Sequence, residues 1–299
     1  MPELPEVETV VRGLRVSLPG RTILDVRLGK TDFIDDPVAL GEQLPGTQIL
    51  DVTRLGKFIA IGLAPAGRAP ETSERLYLIV HLGMTGQLMT RPAGDAVPAH
   101  THVFFGLDDG RELRYTDVRR FGRMLLVPES KIALFQERLG AEPLEITLKE
   151  FCTRFGSRGA RVKALLLDQG ILRGVGNIYA DESLFRAGIH PARIARTLTT
   201  AQLAALYKSV RQILTSAIRL RGSSVSDYVD SDGNRGEFQF RHRVYQREGK
   251  PCSRCRNKIR RVIVAGRSSH FCPRCQPAPR TRRRSKKSSK PQMNTGKHK

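Results

Sequence analysis

Apolar residues are spaced in two different ways along this chain, and the change falls near residue 130. After an opening segment, the first part shows short β-branched and apolar runs at Thr22–Leu28, Gln48–Thr53, Phe58–Leu63, Leu76–Val80, Val103–Leu107, Glu112–Tyr115 and Arg123–Val127. Runs of this length between turn residues predict strands, and Asp108-Asp109-Gly110 is a hairpin signal between two of them. Many short strands in series predict a sandwich or barrel. Ala64–Glu74 is polar and carries Pro and Gly, which predicts a surface loop.

The opening segment reads as a helix. Pro5 suits a first helical turn, and Val7, Val10, Val11 and Leu14 recur at helical spacing. Gly20 closes that region.

Beyond residue 130 the period is helical. Lys131–Leu139 predicts a linking helix and Gly140–Pro143 a connection. Thr147 with Glu150 fits a capping box, and Val162–Asp168 a short apolar helix. Gln169–Asn177 carries too much glycine for a helix interior. Asn177–Ala187 resumes the helix and Gly188 ends it. Thr200 is expected to cap a long helix with Leu203, Leu206, Val210, Ile213 and Ala217 on one face, stopped by Gly222. Ser223–Phe240 is polar and turn-rich and reads as a mobile loop. Residues 241–276 hold a cysteine module, and 277–299 form a basic, low-complexity tail expected to be disordered. The predicted fold class is therefore α+β and multidomain. The parts are a β-sandwich at 1–130, a linker at 131–146, a helical domain at 147–240, the cysteine module and the tail. No internal repeat is visible.

The net charge of +22 and a pI of about 10.6 predict a polyanionic partner, nucleic acid first. Nine of the Lys and Arg residues follow Gln276, so the body keeps +13. No apolar run is long enough to span a bilayer, and no charged-then-apolar leader opens the chain, so no membrane association or export is expected. Cys152 stands alone, which suits a reducing compartment; a small buried hydrophobe accounts for it equally.

The strongest local motif is Cys252-x2-Cys255-x16-Cys272-x2-Cys275, the spacing of a four-thiolate zinc site. Two disulfides would use the same residues, but the lack of an export signal argues against them. Ile259–Val264 and Ser268–Phe271 flank Ala265-Gly266-Arg267, which predicts a zinc ribbon with Arg267 at the hairpin tip. Four thiolates leave no open coordination position, so the zinc is expected to be structural.

Other stretches suggest contacts with a polyanion. Gly174-Val175-Gly176-Asn177 enters a helix, where backbone N–H groups and the dipole favour a phosphate. Arg119-Arg120-Phe121-Gly122 sets an aromatic beside cations, a combination that can wedge into a base stack. Met84 lies between Gly83 and Gly86 on a second apolar tip; both Met84 and Phe121 also fit as core residues. Lys57 opens an apolar strand, which also fits a solvated charge. His100 and His102 alternate at a strand start but lack further ligands for a metal.

Met1-Pro2-Glu3-Leu4-Pro5-Glu6-Val7-Glu8-Thr9 carries the sharpest chemistry. Removal of Met1 would leave Pro2 as a free secondary amine. An α-amine titrates at about 7.7–8.0, so part of it is unprotonated at neutral pH. Such an amine can attack a sugar C1′ and form an iminium. Glu3 is placed to move protons. Acids in a first helical turn also simply complement the dipole.

Taken in order, residues 1–9, His81–Gly86, Arg114–Gly122, Gly174–Glu182 and the cysteine module resemble the formamidopyrimidine-DNA glycosylase family over residues 1 to about 276. The resemblance implies a β-sandwich, a helix–two-turns–helix domain and a zinc finger, with double-stranded DNA in the cleft between them. It implies a bifunctional glycosylase and abasic-site lyase of base excision repair, acting on oxidised purines; a monomer is expected because the implied site is complete within one chain, and a cytoplasmic, nucleoid-associated place because no leader is seen. By position, Pro2 resembles the Schiff-base nucleophile, Glu3 the proton donor for base removal and Glu6 a supporting acid. Lys57 resembles the donor for β-elimination, and Arg267 the zinc-finger arginine of δ-elimination. Met84, Arg119 and Phe121 resemble the residues that fill the void left by an extruded base, and Asn177 a phosphate clamp. Further DNA contacts are expected at His100, Arg120 and Lys163, and Ser223–Gln239 resembles a loop that closes over the lesion. Two departures stand out: the tail past Gln276, and Val118 where the family often has proline. The endonuclease VIII type, with the same fold and oxidised pyrimidines as substrates, is the near alternative. A zinc-ribbon nucleic-acid-binding protein without catalysis is the distant one, and it leaves Pro2-Glu3 unexplained.

Overall fold

The computed structural model describes residues 1–65, 74–225 and 228–278. Most of the predicted surface loop at 64–74 and nearly all of the basic tail lie outside these residues. Helix α1 (Leu4–Ser17) opens the chain. Two four-stranded antiparallel sheets follow. One is ordered β1 (Ile23–Leu28), β6 (Thr101–Leu107), β7 (Arg111–Thr116), β5 (Gln87–Pro92). The other is ordered β2 (Thr47–Leu55), β3 (Phe58–Pro65), β4 (Leu76–His81), β8 (Arg123–Pro128). The sheets share one core. Val52, Ile59 and Val80 come from one sheet, Val103, Phe105 and Leu113 from the other, and Val7, Val10, Val11 and Leu14 from α1. These residues lie in the short β-branched and apolar runs of the sequence, so local composition was enough to find most strands.

Two elements escaped the pattern. Strand β5 (QLMTRP) is half polar and ends in Pro, and it lies at a sheet edge, where Pro removes no ladder bond. Helix α2 (Pro37–Gln43) is only seven residues long, capped by Asp36 accepting from Ala39 N at 2.9 Å.

The helical part holds α3 (Glu129–Glu137), α4 (Leu148–Gly156), α5 (Val162–Leu167), α6 (Asn177–Ala187) and α7 (Thr200–Arg219). Thr147 caps α4 by accepting from Glu150 N. The cap of α7 is Thr199, one residue before the expected Thr200, because its hydroxyl accepts from Gln202 N while the Gln202 amide accepts from Thr199 N. The helices enclose a second core with Phe151, Phe155, Leu166, Tyr179, Leu206 and Leu214.

Leu4 belongs to this second core, although Val7 belongs to the first. Helix α1 therefore begins inside one core and continues into the other, and Leu4 N donates to Gly174 O at 2.9 Å. Arg54 adds a second tie by pairing with Glu8 at 2.9 Å and with both oxygens of Glu142 at 3.0 Å.

The cysteine module is a hairpin of β9 (Arg260–Val264) and β10 (Arg267–Phe271). Arg267 is the first residue of β10 and pairs with Val264; the turn itself is Ala265-Gly266. The segment expected to be a mobile loop is docked where it is described. Tyr228 donates to Glu6 O at 3.1 Å. Asp230 Oδ1 accepts from Asp232 N and Asn234 N at 3.0 and 2.8 Å, and Ser224 Oγ donates to Tyr228 O at 2.7 Å. A polar segment satisfies its own turns here through these hydrogen bonds. Among the described residues no helix is long and apolar enough to cross a membrane.

Candidate active site and nucleic-acid interface

The start of α1 meets the start of α6. Glu3, the residue before α1, is buried and reaches across to the other domain. Its carboxylate accepts from Gly176 N at 2.8 Å, Ile178 N at 2.9 Å and Tyr179 N at 3.4 Å. These are N–H groups that a helix N-terminus leaves without internal partners. A side chain at Gly176 would place Cβ 2.4 Å from Glu3 Cδ, so only glycine admits the carboxylate.

Glu6 lies beneath it, also buried. It accepts from Glu3 N at 2.8 Å, from Ser223 N at 2.7 Å and from the Tyr179 hydroxyl in a short bond. Burial, then the neighbouring Glu3, pushes its carboxyl up to about 7. Burial pushes Glu3 up as well, against the opposing pull of Lys57 and the three N–H groups.

Lys57 occupies the two-residue turn between β2 and β3, where Leu55 pairs with Phe58. It is buried rather than solvated. Burial lowers its ammonium below the ordinary range, and Arg267 adds to that, while Glu3 and Glu6 oppose. His81 is lowered to about 4 by burial and then by Lys57, so it is neutral, and its Nδ1 accepts from Gly83 N at 3.1 Å. Burial also lowers the α-amine of Met1. The site therefore holds a buried acid pair with a lysine and a terminal amine that burial lowers below their ordinary values. A cavity of about 30 Å³ remains between Pro2, Glu6, Met84, Ser223 and Tyr228. Met1 also lines it, and with Met1 in place that volume suits a water, not a nucleobase.

The two apolar tips expected from sequence stand side by side. Met84 and Phe121 are 39% and 56% exposed, so neither is a core residue. Arg119 stacks over the Phe121 ring at 4.5 Å. A Cβ on Gly83 would lie 2.4 Å from the Phe121 carbonyl carbon, which measures how closely the two backbones approach. Asp117 joins them. It is fully buried and accepts from Thr85 Oγ1 at 2.5 Å, Gly122 N at 2.9 Å and Tyr115 OH at 3.1 Å. His100 is exposed with φ 64°, and Arg120 pairs with Asp32 at 2.9 Å.

Asn177 opens α6, and its Oδ1 is buried without a hydrogen-bond partner. Lys163 does not fit the expected DNA contact. It is fully buried, with Nζ donating to Asp181 Oδ1 and to Ser268 O, both at 2.7 Å. Asp181 also accepts from His270 N at 2.8 Å, so this pair fastens α5 and α6 to the zinc ribbon. Asp117, Tyr179 and Ser223 were missed in the sequence. Asp117 lies inside a stretch already singled out, but nothing local shows that its carboxylate turns inward.

The four cysteine Sγ atoms lie within 4.8 Å of one another. Cys252 and Cys275 are 3.9 Å apart, Cys255 and Cys272 3.4 Å. Zinc–thiolate bonds of about 2.3 Å set tetrahedral sulfur atoms about 3.8 Å apart, so the donor set fits one zinc. That zinc would leave no open position and would hold the hairpin carrying Arg267.

Family models match along the chain: the Formamidopyrimidine-DNA glycosylase N-terminal domain at 1–124, its H2TH domain at 139–229 and the zinc finger found in FPG and IleRS at 249–278. A formamidopyrimidine-DNA glycosylase of Solibacter usitatus is 45% identical, over 92% of this chain and 99% of that protein. One from Herpetosiphon aurantiacus is 43% identical, over 92% and 100%. The fold is similar to that of a Lactococcus lactis FPG mutant bound to Fapy-dG-containing DNA, with TM-score 0.84, 32% identity, and 93% and 100% coverage. It is also similar to MutM (FPG) from Thermus thermophilus, with TM-score 0.79, 41% identity, and 92% and 98% coverage. Three family models in series along the chain and relatives 43–45% identical over nearly all of both sequences carry the conclusion: the chain belongs to the formamidopyrimidine-DNA glycosylase family and is a DNA glycosylase.

Proposed function

We propose that this protein removes oxidised purines, 8-oxoguanine and formamidopyrimidines, from duplex DNA and then cleaves the strand. The reading rests above all on Glu3, a buried carboxyl aimed across the domain boundary beside Pro2. A base stacked in a duplex cannot present C1′ to a nucleophile, so the nucleotide must be extruded. Met84 and Phe121 would fill the hole, and Arg119, a donor-only side chain, suits the N3 and O2 acceptors of the orphaned cytosine.

Once Met1 is removed, the Pro2 nitrogen would attack C1′. The C1′–N bond breaks and the base leaves with a proton, for which Glu3 is the donor. Glu6 supports Glu3 from beneath through the Glu3 N–H bond. The Pro2 nitrogen then loses its proton, and the C1′–O4′ bond opens as the ring oxygen takes up a proton, which leaves an iminium that acidifies the 2′ hydrogen. Loss of that proton expels the 3′ phosphate, with Lys57 as the proton carrier, and a second elimination expels the 5′ phosphate beside Arg267. Asn177, His100 and Arg120 would hold phosphates. The sandwich of residues 1–130 would supply the chemistry, and the helical and zinc-ribbon parts the grip on DNA. A single chain contains every named group, which supports a monomer, and a genomic substrate supports a place at the nucleoid.

The test is borohydride trapping on a duplex with one 8-oxoguanine opposite cytosine. A sugar adduct on the peptide beginning at Pro2 is expected. An adduct only with an oxidised pyrimidine moves the reading to the endonuclease VIII type, and tight binding with no adduct at all, once Met1 is shown to be absent, overturns catalysis by Pro2.

A further inference from the structure

A second basic cleft lies away from the catalytic one. It has a volume of about 680 Å³ and opens where the ends of α6 and α7 meet the turn Phe238–Arg241 and the first zinc knuckle. Its wall carries Arg186, Arg219, Arg241, Arg243 and Arg254, and its floor is apolar at Ile213, Leu220 and Phe238. Helix α6 starts at Asn177 beside Glu3 and reaches this cleft at Arg186, about 13 Å further along its axis.

Two of the five arginines have structural work. Arg254 donates to Phe185 O and Arg186 O at 3.0 and 3.1 Å and stacks over the Phe185 ring, which closes the end of α6. Arg186 holds Gln212 at 2.7 Å. Arg219, Arg241 and Arg243 have no carboxylate partner among the described residues. Glu182 is the acid in the wall, and it is turned inward to the N–H groups of Arg243, Val244 and Tyr245. Complementing a helix C-terminus accounts for Arg219, but not for Arg241 and Arg243, which follow no long helix. Phe238 is buried behind the half-buried Ile213 and Leu220, and uncompensated guanidinium groups around that aliphatic surface match a phosphate backbone with a base laid against it.

We propose that this cleft binds a second, single-stranded phosphodiester segment while duplex DNA occupies the catalytic cleft. The choice of DNA as ligand rests on the glycosylase reading; the cleft itself does not.

The test locks the full-length protein onto a lesion duplex with borohydride, so that the trapping yield reports on the glycosylase reading by itself. Should no adduct form, the catalytic cleft is filled with excess unlabelled duplex instead. Labelled octathymidylate is then titrated against the filled complex. Binding is expected, and R241E/R243E should weaken it at least about tenfold, with melting temperature and single-turnover excision unchanged. The milder R241Q/R243Q pair should show a smaller loss of the same sign, which guards against misfolding of the charge reversal. Unchanged affinity in both variants places the binding elsewhere, such as on the basic tail, and overturns the proposal. So does absence of binding to the filled wild type. Equal displacement by polyglutamate also overturns it, by marking a surface for acidic polypeptides.

Discussion

Asp117 and Thr85 are 32 residues apart and joined by a 2.5 Å hydrogen bond across the two exposed tips. Through the same carboxylate Asp117 also holds Gly122 N, so Met84 on one tip and Phe121 on the other are set by one buried group. An Asp117→Asn variant keeps the size but must turn an N–H₂ toward a donor. One unmet buried donor costs about 1–3 kcal/mol. On the proposed reading, base excision from an intact duplex should fall by about tenfold or more, while cleavage at a pre-formed abasic site falls less. Single-turnover assays on both substrates check this; equal losses would show that the tips do not serve extrusion.

Gly176 tests the placement of Glu3. In Gly176→Ala the new Cβ would meet Glu3 Cδ at 2.4 Å, so the carboxylate must leave the α6 N-terminus. Excision should drop to near that of Glu3→Gln, while zinc content stays at one per chain. Stoichiometric zinc with full excision would mean that Glu3 acts from another position.

The Glu6 carboxyl, raised from 4.5 to about 7, ties stability to pH. A carboxyl with a raised folded-state value favours folding most when protonated. Its contribution is complete below about 4.5 and is lost as pH rises to about 7. Taken alone it amounts to about 3 kcal/mol over that window, at about 1.4 kcal/mol per pH unit. Urea unfolding at several pH values should show wild type losing stability relative to Glu6→Gln between these limits. Parallel pH profiles for the two proteins would refute the assignment.

Lys163 and its partner Asp181 are both fully buried. Lys163→Met leaves Asp181 with only His270, and breaking a buried pair from one side costs about 3–5 kcal/mol. Thermal unfolding should shift down accordingly. A variant with unchanged melting but weaker DNA binding at low salt would restore the phosphate-contact role.

Zinc removal should act on the ribbon before the sandwich. The small ribbon core consists mainly of Phe185, Val244, Ile259 and the cysteines, so chelation or Cys272→Ser should release it. DNA affinity should fall sharply while the far-ultraviolet signal of the sheets persists. Loss of all structure together would show that the ribbon supports the whole chain.

Much of this architecture is local and was legible in the residues alone. The strands followed from short β-branched and apolar runs between turn residues, α1 from its valines, and the zinc ligands from cysteine spacing, because each depends on neighbours within a few positions. Polarity failed as a guide to Ser223–Phe240, where Tyr228 and Asp230 are buried against α1 and their own turn. Lys163, expected at the DNA from the family resemblance, is instead a cation whose partner is 18 residues away on another helix. The type of chemistry around Pro2 and Glu3 was visible at the N-terminus, but its setting was not. Only the fold brings Glu3 against Ile178, 175 residues distant, and closes both away from water. Desolvation, opposing charge and helix-end N–H groups come from that long-range packing, and they are what turn an ordinary glutamate into a buried acid.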